Sequence, residues 1–265
     1  MADWISPLDL FLFFTTVLFA VLYRHQRRRV LEALGRDAGH PIPTVRLAEF
    51  HEAFATDDLG PTAKSEVFFI GKGDGVPGGT SDTEAWILSV LAKSATSMFE
   101  FGTCTGKTAY LWARNSAPDA RIATLTLGPD QIECYTPSAE DDRSASCMAR
   151  AESAFTRFRY TGTGVEDKIT QLFGDSKAFD ETPYAGRCDL VFVDGSHAYS
   201  YVKSDTEKAL RMLAPGGILL WHDYGSGSST RGVYRYLNEL RRTLPLVRLR
   251  GTSIVVYRTA NFEDR

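Results

Sequence analysis

The chain has 265 residues, 43% of them hydrophobic, and a formal net charge of −3. That length and apolar content suffice for one sizeable domain with a full core, so folding requires neither a disulfide framework nor a metal staple. With no basic stripe outside the N-terminal region, nucleic acid is excluded as the partner of the globular part. The four cysteines (Cys104, Cys134, Cys147, Cys188) are scattered without a Cys-x-x-Cys pair and suit a reduced, cytosolic setting.

The N-terminus differs from the rest. Leu10 to Tyr23 runs 14 residues without a charge and is followed by Arg24, Arg27, Arg28 and Arg29. Positive charge after the apolar run is the reverse of a cleavable signal peptide. As a helix the run covers roughly 21 Å, short of the ~30 Å hydrocarbon core. Extended back to Trp4 it reaches 20 residues but takes in Asp9. Apolar side chains at about −0.4 kcal/mol each offset an aspartate costing about 3 kcal/mol. Residues 4–23 are therefore expected to associate with a membrane as a single-pass or peripheral anchor, with the remainder on the cytoplasmic face. The alternative is a hydrophobic helix packed on the domain or on a second copy of the chain. The expected division is residues 1–29 as this helix and its basic flank, 30–80 as linker and lead-in helices, and 81–265 as the functional domain.

Pro41 and Pro43 break the lead-in, and residues 71–80 form a Gly-rich loop. Ser81-Asp-Thr-Glu84 is a capping box for a helix whose apolar face holds Ile87, Val90 and Leu91. Strands are then expected at about 97–101, 121–127, 169–173, 188–193 and 217–221, and helices at about 106–115, 147–158, 200–213 and 231–242. Ser204-Asp-Thr-Glu207 reads as a second capping box, and Pro215-Gly216-Gly217 as a helix stop. Residues 246–257 close the chain as a hairpin. This alternation predicts an α/β, Rossmann-like, doubly wound and mostly parallel sheet of seven strands with a C-terminal antiparallel hairpin, preceded by the hydrophobic helix. Between the second and third strands, residues 128–165 are long and polar, and are expected to act as a lid over a ligand.

The most informative stretch is Met98-Phe-Glu-Phe-Gly-Thr-Cys-Thr-Gly-Lys-Thr108: a strand, a Glu-x-Gly-x-x-x-Gly loop and a helix start. Such a loop brings backbone close to a ligand and points free N–H groups at it. A phosphate loop needs four residues between Gly and Gly-Lys-Thr, and a dinucleotide fingerprint needs Gly where Cys104 stands. Glu100 suits a ligand carrying an ammonium or sulfonium charge. S-adenosylmethionine is thus the leading candidate.

Ligands of such sheets sit at the carboxyl ends of the strands. Those ends read Gly174-Asp175-Ser176, Val193-Asp194-Gly-Ser-His197 and Trp221-His222-Asp223-Tyr224. Together with Glu-Phe-Gly-Thr-Cys-Thr-Gly-Lys-Thr and Leu-Ala-Pro-Gly-Gly, in this order, they resemble the class I S-adenosylmethionine-dependent methyltransferases, closest to the small-molecule O-methyltransferase group, over roughly residues 80–258. The resemblance implies that Glu100, Gly102, Thr103 and Gly106 lie at the methionine end of the cofactor. It further implies that Asp175 and Ser176 sit by the adenine, and that Asp194 lies beneath the transferring methyl group.

One departure stands out. Where the family has an acid at the end of the second strand, this chain has Thr126. A hydroxyl makes one hydrogen bond where a carboxylate makes two stronger ones. Either Asp130 reaches back, or the cofactor binds more weakly, or activity has been lost.

Methyl transfer to a hydroxyl also requires removal of a proton. Two versions stand side by side: His197 or His222 as general base, or Mg²⁺ held by Asp194 and Asp223, where His222 is a poor neighbour for a hard cation. Asp194, His197, His222 and Asp223 are accordingly the candidate catalytic residues. The expected partners are a small-molecule acceptor and a second copy of the chain. The competing readings are a degenerate methyltransferase fold serving as a scaffold and, against the glycine pattern, an NAD-binding oxidoreductase.

Overall fold

The computed structural model describes residues 6–33, 40–73 and 79–260; residues 74–78 of the expected 71–80 loop and the start of the N-terminal run lie outside the described residues. Helix α1, Pro7–Ala33, is 27 residues long, yet no helix among the described residues is long and apolar enough to cross a membrane. The expectation of a spanning anchor is therefore not supported. The uncharged run ends at Tyr23, and the helix continues through Arg24 and Arg27, so only about half its length would suit hydrocarbon.

After α1 come β1 (Thr44–Val45), α2 (Leu47–Phe50) and a small antiparallel pair, β2 (Thr56–Asp57) with β3 (Gly60–Pro61). The remaining elements alternate: α3 (Asp82–Ala92), β4 (Ser97–Phe101), α4 (Lys107–Asn115), β5 (Arg121–Thr126), α5 (Arg143–Glu152), β6 (Ile169–Phe173), β7 (Cys188–Val193), α6 (Tyr199–Met212), β8 (Leu213–Trp221), α7 (Arg231–Leu240), β9 (Val247–Leu249) and β10 (Val255–Arg258). One sheet takes the order β1-β9-β10-β8-β7-β4-β5-β6. Strands β4 to β8 are parallel, and β10 is antiparallel to both β8 and β9. Seven of these strands match the expected sheet. The eighth, β1, has two residues, too short to leave a periodic signature.

The strands are apolar on both sides because both sides are covered. Met98, Leu190, Phe192 and Leu220 face α3 and α4, in one core with Ile87, Leu91 and Trp112. Phe99, Val191, Val193, Leu219 and Trp221 face the other way, with Val202, Met212 and Leu237 of α6 and α7. Trp221 is fully buried and its Nε1–H donates to Thr206 Oγ1 at 2.8 Å; stranding that donor would cost about 1–3 kcal/mol.

The chain runs from β4 outward through β5 to β6, then returns to lay β7 on the opposite side of β4. That reversal opens a crevice at the carboxyl ends of β4 and β7. The Ser81 box caps α3 as expected, Ser81 Oγ accepting from Glu84 N–H. The Ser204 box does not cap α6. Its helix starts at Tyr199, with Ala198 O accepting from Tyr201 and Val202, so Ser204 lies inside it. Helix α5 lies four residues earlier than expected at its start, and β8 already begins at Leu213, paired with Cys188.

Candidate active site

The glycine loop is shaped by what crowds it. Gly102 has φ +102°, and a Cβ there would sit 2.1 Å from the Asp194 carbonyl oxygen. Only glycine lets the end of β4 pass so near the end of β7. Asp194 N–H donates to Phe101 O at 2.9 Å and ties the two strand ends together. Gly106, at φ +74°, is pressed against Tyr160 and Phe158 rather than against a ligand space.

Beneath the loop lies a polar chain. Gln171 Nε2 donates to Thr103 Oγ1 at 3.2 Å, Thr103 and Thr124 hydroxyls meet at 2.8 Å, and Thr124 Oγ1 donates to Glu100 Oε2 at 2.6 Å. Since Thr124 gives its one proton to Glu100, Thr103 must donate to Thr124. Burial pushes the Glu100 carboxyl up to about 8, against the hydroxyls of Thr124 and Thr108. Glu100 is thus a neutral buried acid at neutral pH. Glu100, Thr103 and Gly106 do not line the cleft, which corrects their expected place beside the ligand.

An open cleft lies above β4, β5, β6 and β7. Gly102, Thr126, Asp175, Ser176 and Asp194 line it as expected. Sequence reading missed Tyr135, Glu152, Tyr201 and Asp205, which line it too. Tyr135 and Glu152 come from the 128–165 segment, so α5 and the turn before it form a wall of the cleft. No local pattern marks them, because helix α5 reaches the site only through the tertiary fold. Asp130 is exposed and absent from the cleft wall, so it does not replace the missing acid beside Thr126.

The strand ends β7 and β8 bring the four expected catalytic residues together. His222 Nδ1 lies 2.9 Å from Asp194 Oδ1 and 3.1 Å from Asp223 Oδ2, and His222 Nε2 lies 3.2 Å from Glu84 Oε2. His197 Nε2 lies 2.9 Å from Asp223 Oδ2, with Nδ1 3.2 Å from Ser229 O. Every ring nitrogen of both histidines therefore faces an oxygen that can only accept, which makes both rings imidazolium. Burial alone would lower the His222 pKa, but the carboxylates of Asp194, Asp223 and Glu84 outweigh it and hold it well above the ordinary value. The same contest, with Asp223 foremost among the carboxylates, raises His197. Neither histidine offers a free lone pair to a substrate, which removes the reading of either as the resting general base.

The carboxylates divide. Burial would raise Asp223, but His197 and His222 hold it well below the usual range. Asp194 moves up, because burial outweighs its imidazolium neighbours. Asp223 also sits at φ +58°, a left-handed conformation uncommon for a non-glycine residue, which turns its side chain back toward His197. Glu84, seen in the sequence only as a cap, carries more: its Oε1 accepts from Ser253 N–H and Oγ–H, each at 2.8 Å, while its Oε2 meets His222. Glu152 is pushed up to about 7 by burial and by the negative charge of Asp194.

Ligand atoms of Asp194, His197 and Asp223 lie within 4.8 Å of one another. The donor set nevertheless does not fit Mg²⁺. That ion prefers an octahedron of oxygens and sheds water reluctantly. Here the set includes the His197 imidazole, and one oxygen of each carboxylate, Asp194 Oδ1 and Asp223 Oδ2, already meets His222 Nδ1.

Residues 99–224 match the family model described as a methyltransferase domain. Among solved structures, the S-adenosylhomocysteine-bound methyltransferase PaMTH1 of Podospora anserina is 17% identical, with 69% of this chain and 80% of that chain covered and a TM-score of 0.50. The O-methyltransferase TomG of Streptomyces achromogenes, involved in tomaymycin synthesis and solved with S-adenosylmethionine, is 20% identical over 69% of this chain and 82% of that one, with a TM-score of 0.44. An O-methyltransferase of Bacillus cereus, in complex with S-adenosylhomocysteine, is 17% identical over 69% and 84%, with a TM-score of 0.48. Comparison with curated proteins gives no match. The family-model match, over residues 99–224, makes this part of the chain similar to methyltransferase domains, in line with the resemblance expected from the sequence.

Proposed function

We propose that this chain is an S-adenosylmethionine-dependent methyltransferase acting on a hydroxyl of a small-molecule acceptor, with Asp194 taking the acceptor's proton. The observation that carries this reading is the position of Asp194: it lines the cleft and, through Oδ1, belongs to the His222 cluster. One side chain joins the ligand space to the acid–base network. The residues fit the cofactor: glycine backbone at the floor of the cleft, and a buried carboxylate oxygen of Asp205 on its wall with no hydrogen-bond partner among the described residues. Gly102, Thr126, Asp175, Ser176 and Asp194 would hold it. When bound, S-adenosylmethionine supplies a methyl group on positively charged sulfur, open to in-line displacement.

The chain's own residues do the rest. Asp194 Oδ1 is held by His222, which leaves Oδ2 for the acceptor hydroxyl. Its raised pKa makes it a better proton acceptor than an exposed aspartate. His222 fixes the carboxylate and is itself fixed by Glu84; His197 holds Asp223 in the same way. Glu152 adds negative charge over the site once ionised, favouring a sulfonium beneath it. Tyr135, Ala149 and Ser153 close the cleft from the α5 side and limit water. The cysteines form no disulfide among the described residues, which suits a cytoplasmic location.

A scaffold role leaves this buried cluster of two histidines and three carboxylates without a purpose. A dehydrogenase would need glycine at Cys104 and an acid near Thr126. The test is methyl transfer from labelled S-adenosylmethionine to a panel of small hydroxylated acceptors. Transfer that Asp194→Ala abolishes supports the reading; full activity in that variant overturns it.

A further inference from the structure

The hairpin that closes the chain brings one hydroxyl to the histidine cluster, and the chemistry above gives it no task. Strand β10 lies antiparallel to β8 with Val255 opposite Trp221. Carrying that register two residues further along each strand sets Ser253 opposite Asp223. The turn that presents Ser253 is braced from within. Arg248 donates from Nε and Nη2 to Thr252 O at 3.0 and 2.7 Å. Thr252 Oγ1 donates to Leu249 O at 2.9 Å and accepts from Ile254 N–H at 3.0 Å.

Ser253 meets two carboxylates that flank the His222 ring. Its N–H and its Oγ–H each donate to Glu84 Oε1 at 2.8 Å, which leaves Oε2 to Ser81 and to His222 Nε2. On its other side, Ser253 Oγ accepts from Asp223 N–H at 3.2 Å, and Ser253 O accepts from Tyr224 N–H at 3.0 Å. Those two bonds bracket the backbone of Asp223, whose φ of +58° persists only where neighbours hold it. Held in this way, Asp223 Oδ2 reaches His222 Nδ1 at 3.1 Å and His197 Nε2 at 2.9 Å. A hydroxyl has one proton to give; this one gives it to Glu84 while a lone pair takes the Asp223 N–H. His222 is thereby held at both ring nitrogens, and Asp194 Oδ1, 2.9 Å from Nδ1, is held with it.

We propose that Ser253 is a positioning residue for methyl transfer: bonded to Glu84 and Asp223 at once, it holds His222 from both sides and so aims Asp194 at the acceptor. This rests on the methyltransferase reading above. Ser253 does not line the cleft, so it acts through these neighbours alone.

Three variants of the intact chain test the assignment. Ser253→Ala removes the hydroxyl, Ser253→Cys keeps a side chain of similar shape with a weak donor, and Ser253→Thr keeps the hydroxyl. The first readout needs no ligand: the histidine ring N–H resonances in the NMR spectrum of the nitrogen-labelled chain. They should be alike in wild type and Ser253→Thr, and shifted or broadened in the other two. The second is turnover with the acceptor that the wild-type chain methylates. Its kcat should fall about 10- to 100-fold in Ser253→Ala and Ser253→Cys, the scale for a lost hydrogen bond to a charged group. The KM for the acceptor and the affinity for S-adenosylhomocysteine should stay within about threefold, and Ser253→Thr should recover most of kcat. A Ser253 that serves folding alone would lower the melting temperature while leaving the resonances and kcat per bound cofactor as in wild type. That result, or equal losses in Ser253→Thr and Ser253→Ala, overturns the assignment and leaves the methyltransferase reading intact. A wild-type chain that neither binds S-adenosylhomocysteine nor transfers a methyl group overturns both.

Discussion

His222 Nδ1 lies 2.9 Å from Asp194 Oδ1 and 3.1 Å from Asp223 Oδ2, so one imidazolium N–H is shared by the carboxylates that end β7 and follow β8. Glu84 holds the other face of the same ring at 3.2 Å, from a helix 138 positions earlier. Removing the ring leaves Asp194 and Glu84 without their shared cation and Asp223 with His197 alone. His222→Phe should cost about 3–5 kcal/mol of stability, the scale for an orphaned buried charge. Urea unfolding at pH 7 measures it, and a loss under about 1 kcal/mol would show that the network is not electrostatically coupled.

Glu100 yields a pH test of stability. Its folded-state pKa of about 8 is raised above the ordinary 4.5, chiefly by burial. A raised acid contributes stability fully below the unfolded value and loses it as pH rises through the folded one. Stability should therefore fall between about pH 4.5 and 8. Glu100→Gln keeps the shape without the titration, so its stability relative to wild type should improve across that window. A constant difference from pH 5 to 9 would place the Glu100 pKa near its ordinary value.

Glu152 should shape the rate profile. With a pKa of about 7 set by burial and by Asp194, it ionises across neutral pH and adds negative charge above the site. Turnover should rise with pH through about 7 in the wild-type chain, and Glu152→Gln should flatten that rise. Persistence of the same inflection in the variant would assign it to another group.

Chelation should leave transfer unchanged, because the candidate set contains an imidazole and His222 already competes for one oxygen of each carboxylate. Activity is measured after exhaustive treatment with EDTA. A loss of more than about tenfold, restored by Mg²⁺, would mean that the imidazolium yields its place to the ion.

The parallel sheet was legible because its strands are apolar on both faces and end abruptly on polar residues. Cys188–Val193 stops at Asp194, and Ile169–Phe173 stops just before Gly174-Asp175. The meeting of Asp194, His197, His222 and Asp223 follows from the same rule, since adjacent parallel strands bring their ends together. Their protonation was not legible. It depends on Glu84 and Ser229, which reach the site from α3 and from the loop before α7. Glu100 was placed beside the ligand because it begins the glycine loop, but side chains alternate along β4, and its register turns it toward Thr124. Glu152 and Asp205 belong to helices whose approach to the cleft is set by packing, so neither has a local signature. The N-terminal helix was read correctly as a helix, but the length of its apolar stretch falls short of a membrane span.

The central claim is that the cleft at the ends of β4 to β7 is a methyl-donor site. Calorimetric titration of the intact chain with S-adenosylmethionine, with NADH as the comparison, tests it most directly. The account predicts saturable one-to-one binding of S-adenosylmethionine and none of NADH. Failure to bind S-adenosylmethionine, or preferential binding of NADH, would contradict it.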